Sequence, residues 1–297
     1  MRIIPYRKFW LIFSLATFIV SVILIVIFHL SLGMDFTGGS LIEISPQNNI
    51  EIQSLREKIY TFYNGEILVQ NSGSNQFIIR NKITDETKYK EFENNLRQGL
   101  PDVNILRHES IGSSVGKDLT RKAIIAVAIA AVLIIIFIAY EFRHVPRTVS
   151  AWSFGTVAII TLFHDLATSL AVFFVVGKIV GYEIDSSVVV AILTILGFST
   201  HDTIVVFDRI RENVIKNPQK KLAELANSSI NQTLARSLNT SLTAILVLVS
   251  MLILGGSTIK PFIFLLTIGI AIGTYSSIFV ASPLLVTWYL RSNKEAR

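Results

Sequence analysis

Two acidic residues lie inside apolar stretches of this chain, and each directly follows a histidine. Asp202 follows His201 within residues 188–207, a run of bilayer-spanning length that contains no other charged residue. A charged side chain is unfavourable in hydrocarbon, so a carboxylate there must face a partner, a cavity or water. Asp202 is therefore a candidate proton carrier. A structural hydrogen bond between helices is the alternative.

His201 has a less certain role than its neighbour. It lies about 100° around a helix from Asp202, so the two side chains need not face the same neighbour. His201 can relay protons or donate a hydrogen bond to another helix, and we favour the hydrogen bond.

Asp165 repeats the pairing with His164 in another apolar run, where Thr161 and Thr168 add polar groups one turn away. Two His–Asp pairs on neighbouring helices also suit the metal site of a membrane hydrolase. Against such a site, neither pair has the His-x-x-x-His spacing of helical metal ligands, no third ligand cluster is apparent, and the chain has no cysteine. The sequence thus predicts neither a metal nor another cofactor.

Arg236 is the best candidate for a cation that pairs with Asp202. It opens the fifth apolar segment, and on a helix it forms one polar stripe with Asn239, Thr240 and Thr243. Such a stripe suits a hydrated path or a facing polar helix. An arginine that extends to the membrane surface explains the spacing equally well.

The composition is that of a membrane protein, with 51% hydrophobic residues, 16% charged residues and a mean hydropathy of +0.56. Six apolar segments are long enough to be membrane spans, and they cover residues 9–29, 123–140, 149–177, 187–207, 238–254 and 262–290. The first lacks the small-residue cleavage site of a signal peptide, which predicts a retained span. The predicted fold is a membrane all-α bundle of six transmembrane helices.

The basic residues predict the orientation of the spans. They collect at the N-terminus, after the second span, in the loop 208–237 and in the C-terminal tail, whereas the alternate short loops hold only Lys178 and Lys260. By the positive-inside rule, both termini and the 208–237 loop face the cytoplasm, and residues 33–118 are extracytoplasmic. Because this pattern explains the net charge of +6, no nucleic acid is expected as a partner.

Residues 33–118 predict a small α+β domain between the first and second spans, which divides the chain into 1–32, 33–118 and 119–297. Strand and helix patterns occur in the order βαββαβ, typical of the ferredoxin-like fold. The segments are 40–45, 52–63, 66–70, 76–80, 85–100 and 103–108, with a turn at 71–75. Gly38 and Gly39 allow a tight turn into the first strand.

Two further patterns concern packing and the membrane surface. Gly269 and Gly273 recur four residues apart in the sixth segment, which permits close helix packing. Asp208 and Arg209 open the charged stretch DRIREN, where the fourth span meets the cytoplasm. DRIREN and the following NPQKKLAEL are interpreted as a basic helix at the cytoplasmic surface that anchors to lipid.

Three motifs occur together in this chain. They are Asp35-Phe36-Thr37-Gly38-Gly39, Gly197-Phe198-Ser199 with the stretch from Asp202 to Glu212, and INQTLARSLNTSLT at 230–243 continued by GTYSSIFVASPLL at 273–285. Together with one span, an outer domain and five further spans, they resemble the SecF family, the smaller subunits of the SecD–SecF pair.

The resemblance implies a function in protein export. Members of this family belong to the RND superfamily and, with SecD, use the proton motive force to help the SecYEG translocon move an unfolded polypeptide across the bacterial inner membrane. YajC is a further candidate partner, and membrane lipid surrounds the spans. Asp202 and Arg236 match the aspartate of the fourth span and the arginine opening the fifth, which are implicated in proton conduction. A further residue of the family's proton pathway, an acidic one, belongs to SecD. We add His201 and Asp165 as candidates for the same proton pathway.

One residue departs from the family pattern, in which an asparagine usually precedes the aspartate. His201 stands there instead, and we hypothesise that it changes the pH dependence of Asp202. The predicted mechanism is transport coupling without a chemical reaction on a substrate, so the chain is not expected to be an enzyme. The alternatives are an RND-type exporter of small molecules or lipids, the metal-dependent hydrolase, and a passive scaffold for SecD.

Overall fold

The computed structural model describes residues 1–48, 50–65, 67–73, 75–143 and 151–295. Some predicted features lie outside these ranges: Arg147, Arg297, the start of the third span at 149, the strand start at 66 and turn position 74.

Helices dominate the structure. In chain order they are α1 (Arg7–Ile27), α2 (Met34–Thr37), α3 (Ile52–Phe62), α4 (Glu86–Gly99), α5 (Ser113–Glu141), α6 (Ala151–Val180), α7 (Ser186–Lys216), α8 (Leu222–Leu254), α9 (Lys260–Ser276) and α10 (Ser282–Glu295). A π-helical turn, Ser277–Ala281, joins α9 to α10. Six segments of the described chain are long and apolar enough to cross a membrane, which confirms the predicted number of spans. They contain α1, α5, α6, α7, α8 and the α9–α10 unit.

The charged stretch at 208–237, predicted as a cytoplasmic loop that contains a basic helix, is helical over nearly all of its length. The helix α7 continues to Lys216, and only residues 217–221 separate it from α8. Lys216 Nζ lies 2.5 Å from Glu212 Oε1, one turn away, and opposite charges at this spacing favour a helix. The fourth span therefore continues as a helix beyond Asp208, where we predicted the membrane edge.

The domain between α1 and α5 contains the predicted succession of strands and helices. Its strands are β1 (Gly39–Pro46), β2 (Ile67–Gly73), β3 (Gln76–Asn81) and β4 (Val103–Ile111). They pair antiparallel in the order β2-β3-β1-β4. Ile42 and Ile44 of β1 are buried against Leu55 of α3 and Leu96 of α4. The ferredoxin-like assignment is our interpretation of this order.

The helices α7 and α9 lie at the centre of the bundle. A Cβ atom added at Gly269 would lie 2.3 Å from Ile195, and one at Gly273 would lie 3.1 Å from Ser199. These two glycines therefore let the helix backbones approach closely, as their spacing predicts. The spans of α1, α5 and α8 are peripheral and expose most of their apolar side chains.

Gly38 and Gly39 connect α2 to β1, with positive φ angles of 76° and 146°. A Cβ atom at Gly39 would lie 2.5 Å from the carbonyl oxygen of Asn81. One at Gly116, in the first turns of α5, would lie 2.8 Å from the carbonyl oxygen of Phe36. Gly38 and Gly39 thus form the turn that the sequence predicts and also a junction, a close backbone contact between the outer domain and the second span.

Replacing Gly39 by alanine should destabilise the protein, because the new methyl group meets a carbonyl oxygen and the backbone conformation disfavours any side chain. We expect a loss of about 2 kcal/mol or more, measured as a lower Tm of the purified protein. Gly256→Ala is the matched control, since a Cβ there meets no atom within 4 Å. Equal Tm values for the two variants would contradict this account of the junction.

Candidate functional site

Asp202 lies on α7 and is only 2% exposed. Its Oδ2 atom accepts hydrogen bonds from Thr274 Oγ1 of α9 at 3.0 Å and from Ser241 Oγ of α8 at 3.3 Å. The two hydroxyl oxygens are 2.5 Å apart. This single carboxylate therefore links three membrane spans.

The hydroxyl groups around Asp202 have competing acceptors on their own helices. Ser241 Oγ is 2.9 Å from the carbonyl oxygen of Ser237, and Thr274 Oγ1 is 2.9 Å from that of Ile270. Each hydroxyl carries one proton and cannot donate fully to both acceptors at once. The ionised carboxylate needs these donors, whereas its protonated form can itself donate. A change in the charge of Asp202 can thus redirect the hydrogen bonds of α8 and α9.

Arg236 is not brought to Asp202. Its side chain is exposed on α8, and the described part of the chain contains no ion pair between the two. Ser237 and Ser241 occupy the buried face of the helix instead. The rest of the predicted polar stripe is exposed as well: Asn239, Thr240 and Thr243. The stripe therefore points away from this chain's own bundle, and the pairing of Arg236 with Asp202 stays a prediction.

His201 and Gly197 lie on the exposed side of α7. A Cβ atom at Gly197 would meet no atom within 4 Å, so packing within this chain does not require glycine there. Within the ranges that the structure describes, His201 forms no hydrogen bond to another helix. The hydrogen bond that we favoured for His201 is thus not made inside this chain.

Asp165 is the second buried carboxylate, and it lies on α6 with 0% exposure. Ser199 Oγ of α7 and Ser276 Oγ of α9 donate to its Oδ2 atom, both at 2.6 Å. His164 Nδ1 lies 3.0 Å from its Oδ1 atom. This carboxylate is therefore held by groups from three helices.

The sequence did not identify the hydroxyl groups that bind the two carboxylates. Thr161 and Thr168, which we predicted as polar neighbours of Asp165, donate instead to the carbonyl oxygens of Val157 and His164 on their own helix. Serine and threonine in a membrane helix can bond to their own backbone or across to another helix, so their presence alone is ambiguous. For Thr274 and Ser276 the available signal was their position beside Gly273 of α9, whereas Ser199 and Ser241 had no such signal.

Asp35 connects the first motif to the fourth span. Its Oδ2 atom accepts a hydrogen bond from the backbone N–H of Ser186 at 2.9 Å, and the Ser186 hydroxyl also donates to it. Because Ser186 begins α7, the carboxylate caps the positive end of that helix. The N–H of Gly33 also donates to the carbonyl oxygen of Ile184 at 2.8 Å. The segment that leads into the outer domain is thus bound to the start of α7.

The sheet forms further polar contacts with the connection between α6 and α7. Arg80 Nη1 of β3 lies 2.8 Å from Glu183 Oε2, and both side chains are less than one-fifth exposed. Gln70 of β2 donates to the carbonyl oxygen of Gly181. Burial raises the pKa of Glu183 above its ordinary value, although the Arg80 charge partly opposes this.

At the opposite end of the bundle, the motif DRIREN holds α7 to α8. Arg209 Nε donates to Gln232 at 2.6 Å, and Asn213 Nδ2 donates to Ser229 at 2.7 Å. Arg211 Nη2 lies 2.5 Å from Asp208 Oδ1 on the same helix. These residues therefore have a structural role that the sequence pattern did not reveal.

Metal ligation finds no support in the side-chain arrangement. In the part of the chain that the structure describes, no group of three His, Asp or Glu side chains could hold a metal ion. The alternative of a metal-dependent hydrolase therefore lacks a ligand set.

Two known families match this chain, one at the junction with the outer domain and one over the region that contains the buried carboxylates. The family “SecD/SecF GG Motif” matches residues 23–50, which contain Asp35 and the two glycines of the junction. The family “Protein export membrane protein SecD/SecF, C-terminal” matches residues 91–291, which contain both buried carboxylates. The chain belongs to the SecD/SecF family. Its members' shared function is protein export, and the six spans make this chain a multi-pass protein of the bacterial cell membrane.

Individual relatives support this family assignment over the whole chain. The protein translocase subunit SecF of Thermobaculum terrenum is 36% identical, covering 96% of this chain and 93% of the relative. The same subunit of Anaerolinea thermophila is 35% identical, covering 97% and 94%. The crystal structure of SecDF from Thermus thermophilus, a translocon-associated membrane protein, matches with a TM-score of 0.82 and 31% identity. That match covers 97% of this chain but only 38% of the SecDF chain.

Replacing Glu183 by glutamine should reduce the pH dependence of stability. Because the folded-state pKa of Glu183 is raised above 4.5, the folded protein binds this proton more tightly than the unfolded chain does. This stabilisation is present below 4.5 and is lost as the pH rises through the raised pKa. The Tm of the unmodified protein should therefore fall relative to that of Glu183→Gln between acidic and neutral pH.

Glu109, whose side chain is 43% exposed and pairs with Arg107 on the same strand, offers the control for this variant. Glu109→Gln should keep the pH slope of the unmodified protein. Parallel slopes for the unmodified protein and Glu183→Gln would show that Glu183 does not titrate in the proposed way.

Proposed function

We propose that this chain is the SecF-type subunit of a SecD–SecF complex and that it couples proton uptake to protein export through Asp202. One observation carries the proposal: a carboxylate that is 2% exposed inside a membrane span is bound by movable hydroxyl groups from two other spans. Such a group can take up a proton and change the contacts between helices without moving far.

The electrical driving force is adequate for this role. When Asp202 is ionised, the hydroxyls of Ser241 and Thr274 donate to it; when it is protonated, they can return to the carbonyl groups of their own helices. One charge that crosses the membrane supplies roughly 2.3 kcal/mol per 100 mV. That energy changes the ratio of two helix arrangements by roughly fifty-fold at most.

The outer domain can follow such a change through α7. Asp202 lies 16 residues after Ser186, which places it about 24 Å along the helix from the Asp35 contact. In our proposal, a shift of α7 moves its capped end, and the outer domain moves with it because Asp35 and the Arg80–Glu183 pair bind that end.

A second membrane chain completes the proton pathway in this proposal. Arg236 and His201 are exposed on the spans, where contact with lipid alone would be unfavourable. We assign SecD as the chain that covers them, because a relative from Thermus thermophilus is named SecDF, which joins the two subunit names. A third acidic residue, contributed by SecD, would face Arg236. The SecYEG translocon, YajC and the unfolded polypeptide are partners that the family resemblance implies.

The alternatives have weaker support. An exporter of small molecules needs an apolar pocket in the outer domain, whereas the cavity of about 460 Å³ in this domain is lined in part by charged side chains, among them Asp85, Lys88 and Glu91. A passive scaffold for SecD would not require the ionisable group at Asp202, so a substitution there separates it from the proposed function.

Asp202→Asn should abolish the stimulation of export by a membrane potential, because asparagine can accept the same hydrogen bonds but cannot exchange a proton. We expect roughly a tenfold or greater loss, measured as translocation of a secreted protein into vesicles that contain this chain and SecD. Asp118→Asn on α5, whose side chain is 55% exposed, is the control. Unchanged stimulation in Asp202→Asn would favour the scaffold.

The proposed orientation places both termini in the cytoplasm and residues 33–118 outside. Since the chain has no cysteine, single cysteines can report on it. A membrane-impermeant maleimide added to intact spheroplasts should label Asn94→Cys in α4 but not Lys220→Cys between α7 and α8. Lys220→Cys should react once the membrane is opened. The reverse labelling would contradict this orientation.

A further inference from the structure

The His164–Asp165 pair forms a second polar cluster, separate from Asp202 and its hydroxyl partners. Asp165 is fully buried and accepts hydrogen bonds from two serine hydroxyls, and the Nδ1 atom of His164 lies 3.0 Å from its Oδ1 atom. His164 is 5% exposed, and its other ring nitrogen, Nε2, lies 3.3 Å from Thr17 Oγ1 on α1. The cluster thus extends from the centre of the bundle to the first span.

Thr17 has a choice of hydrogen-bond partners. Its hydroxyl lies 2.9 Å from the carbonyl oxygen of Ser14, one turn earlier in α1, and also contacts His164. The single hydroxyl proton can go to the Ser14 carbonyl or to a bare Nε2 atom. When Nε2 carries its own proton, Thr17 accepts from it and can donate to Ser14 at the same time.

The number of protons bound to the His164–Asp165 pair decides which partner the Thr17 hydroxyl donates to. With neutral His164 and ionised Asp165, Nδ1–H donates to the carboxylate, Nε2 is bare and Thr17 must donate to it. After one proton is added, Nε2–H donates to Thr17, and the second proton lies between Nδ1 and the carboxylate. The proton-bound pair has zero net charge, whereas the proton-free pair leaves one negative charge buried, which favours uptake.

Other groups also face the pair. Tyr275 on α9 is a titratable side chain that the charge of Asp165 reaches. From α1, the ring of Phe18 lies 6.4 Å from the His164 ring and carries no charge. The contacts from α7 and α9 are the hydroxyls of Ser199 and Ser276.

We propose that the His164–Asp165 pair is a second proton-binding site of the bundle and that the Thr17 hydroxyl transmits its occupancy to α1. Proton uptake turns the Thr17 hydroxyl from Nε2 to the Ser14 carbonyl, which changes the hydrogen bond between α6 and α1. This deepens the proposed function and rests on it only in that the bundle takes up protons. Because α1 leads directly into the outer domain, the site acts on the domain from a second span.

Nitrogen NMR of the full-length chain in lipid vesicles tests this proposal, since the ¹⁵N shifts of a histidine ring report how many protons it carries. The chain has five histidines, and His164→Gln identifies the His164 signals. We expect these signals to change from a ring with a bare Nε2 to one with a protonated Nε2 as the pH falls. A His164 ring that keeps one form at every pH where the chain is folded would overturn the proposal.

Two substitutions on α1 separate a proton-linked role from packing. Thr17→Val keeps the shape but removes the hydroxyl that bonds Nε2 in both states. Because the bond from the charged ring is the stronger of the two, the Nε2-protonated fraction should fall several-fold at a given pH. Ser21→Ala is the matched control, because Ser21 is 4% exposed and, within the described ranges, its hydroxyl donates to the carbonyl oxygen of Thr17, 2.7 Å away, and not to His164. Equal titration in the two variants would overturn the role of Thr17.

One further variant distinguishes this proposal from the proposed function. Asp202→Asn should leave the His164 titration in place. If that variant also kept potential-driven export, the proposed function of Asp202 would fail while the second site stood. If the titration of His164 disappeared together with Asp202, the two carboxylates would form one site, and the proposal of a separate site would fail.

Discussion

A carboxylate inside hydrocarbon must receive hydrogen bonds from its surroundings, and this requirement shapes the centre of the bundle. Asp202 and Asp165 are both bound by hydroxyl groups of α9, from Thr274 and Ser276. Ser199, on the same helix as Asp202, completes the second set. The helices α7 and α9 are thus held together on two sides by buried carboxylates. Their close approach depends on glycines, because larger side chains would separate the hydroxyls from the carboxylate oxygens.

This central pair of helices is also bound to the outer domain. Asp35 caps the first residue of α7, and the glycines that follow it place the domain's first strand against the start of α5. A motif that the sequence predicts as a turn therefore joins three parts of the chain: the domain, the second span and the fourth span. A contact of this kind can transmit a helix displacement, since it is made by backbone groups and a short side chain with little freedom.

The periphery of the bundle has a different character. The described spans α1, α5 and α8 expose mainly apolar side chains, as expected of surfaces that contact lipid. The polar stripe of α8 and His201 interrupt this pattern. In our proposal these residues belong to an interface with SecD, which explains why Arg236 does not bind Asp202 within this chain alone.

The sequence by itself determined the six spans, the element order of the outer domain and the presence of a carboxylate, Asp202, that must receive hydrogen bonds inside a span. These follow from hydropathy, side-chain periodicity and the cost of a buried charge, which are local properties of the chain. It also predicted a basic helix after the fourth span, but not that this helix is continuous with the span, a continuity that i,i+4 ion pairs such as Lys216–Glu212 favour. Only the tertiary structure decided which groups bind the carboxylates: the partners of Asp165 are 34 and 111 positions away, at Ser199 and Ser276. Hydroxyl groups occur throughout such spans, and only helix packing determines which of them face a buried charge.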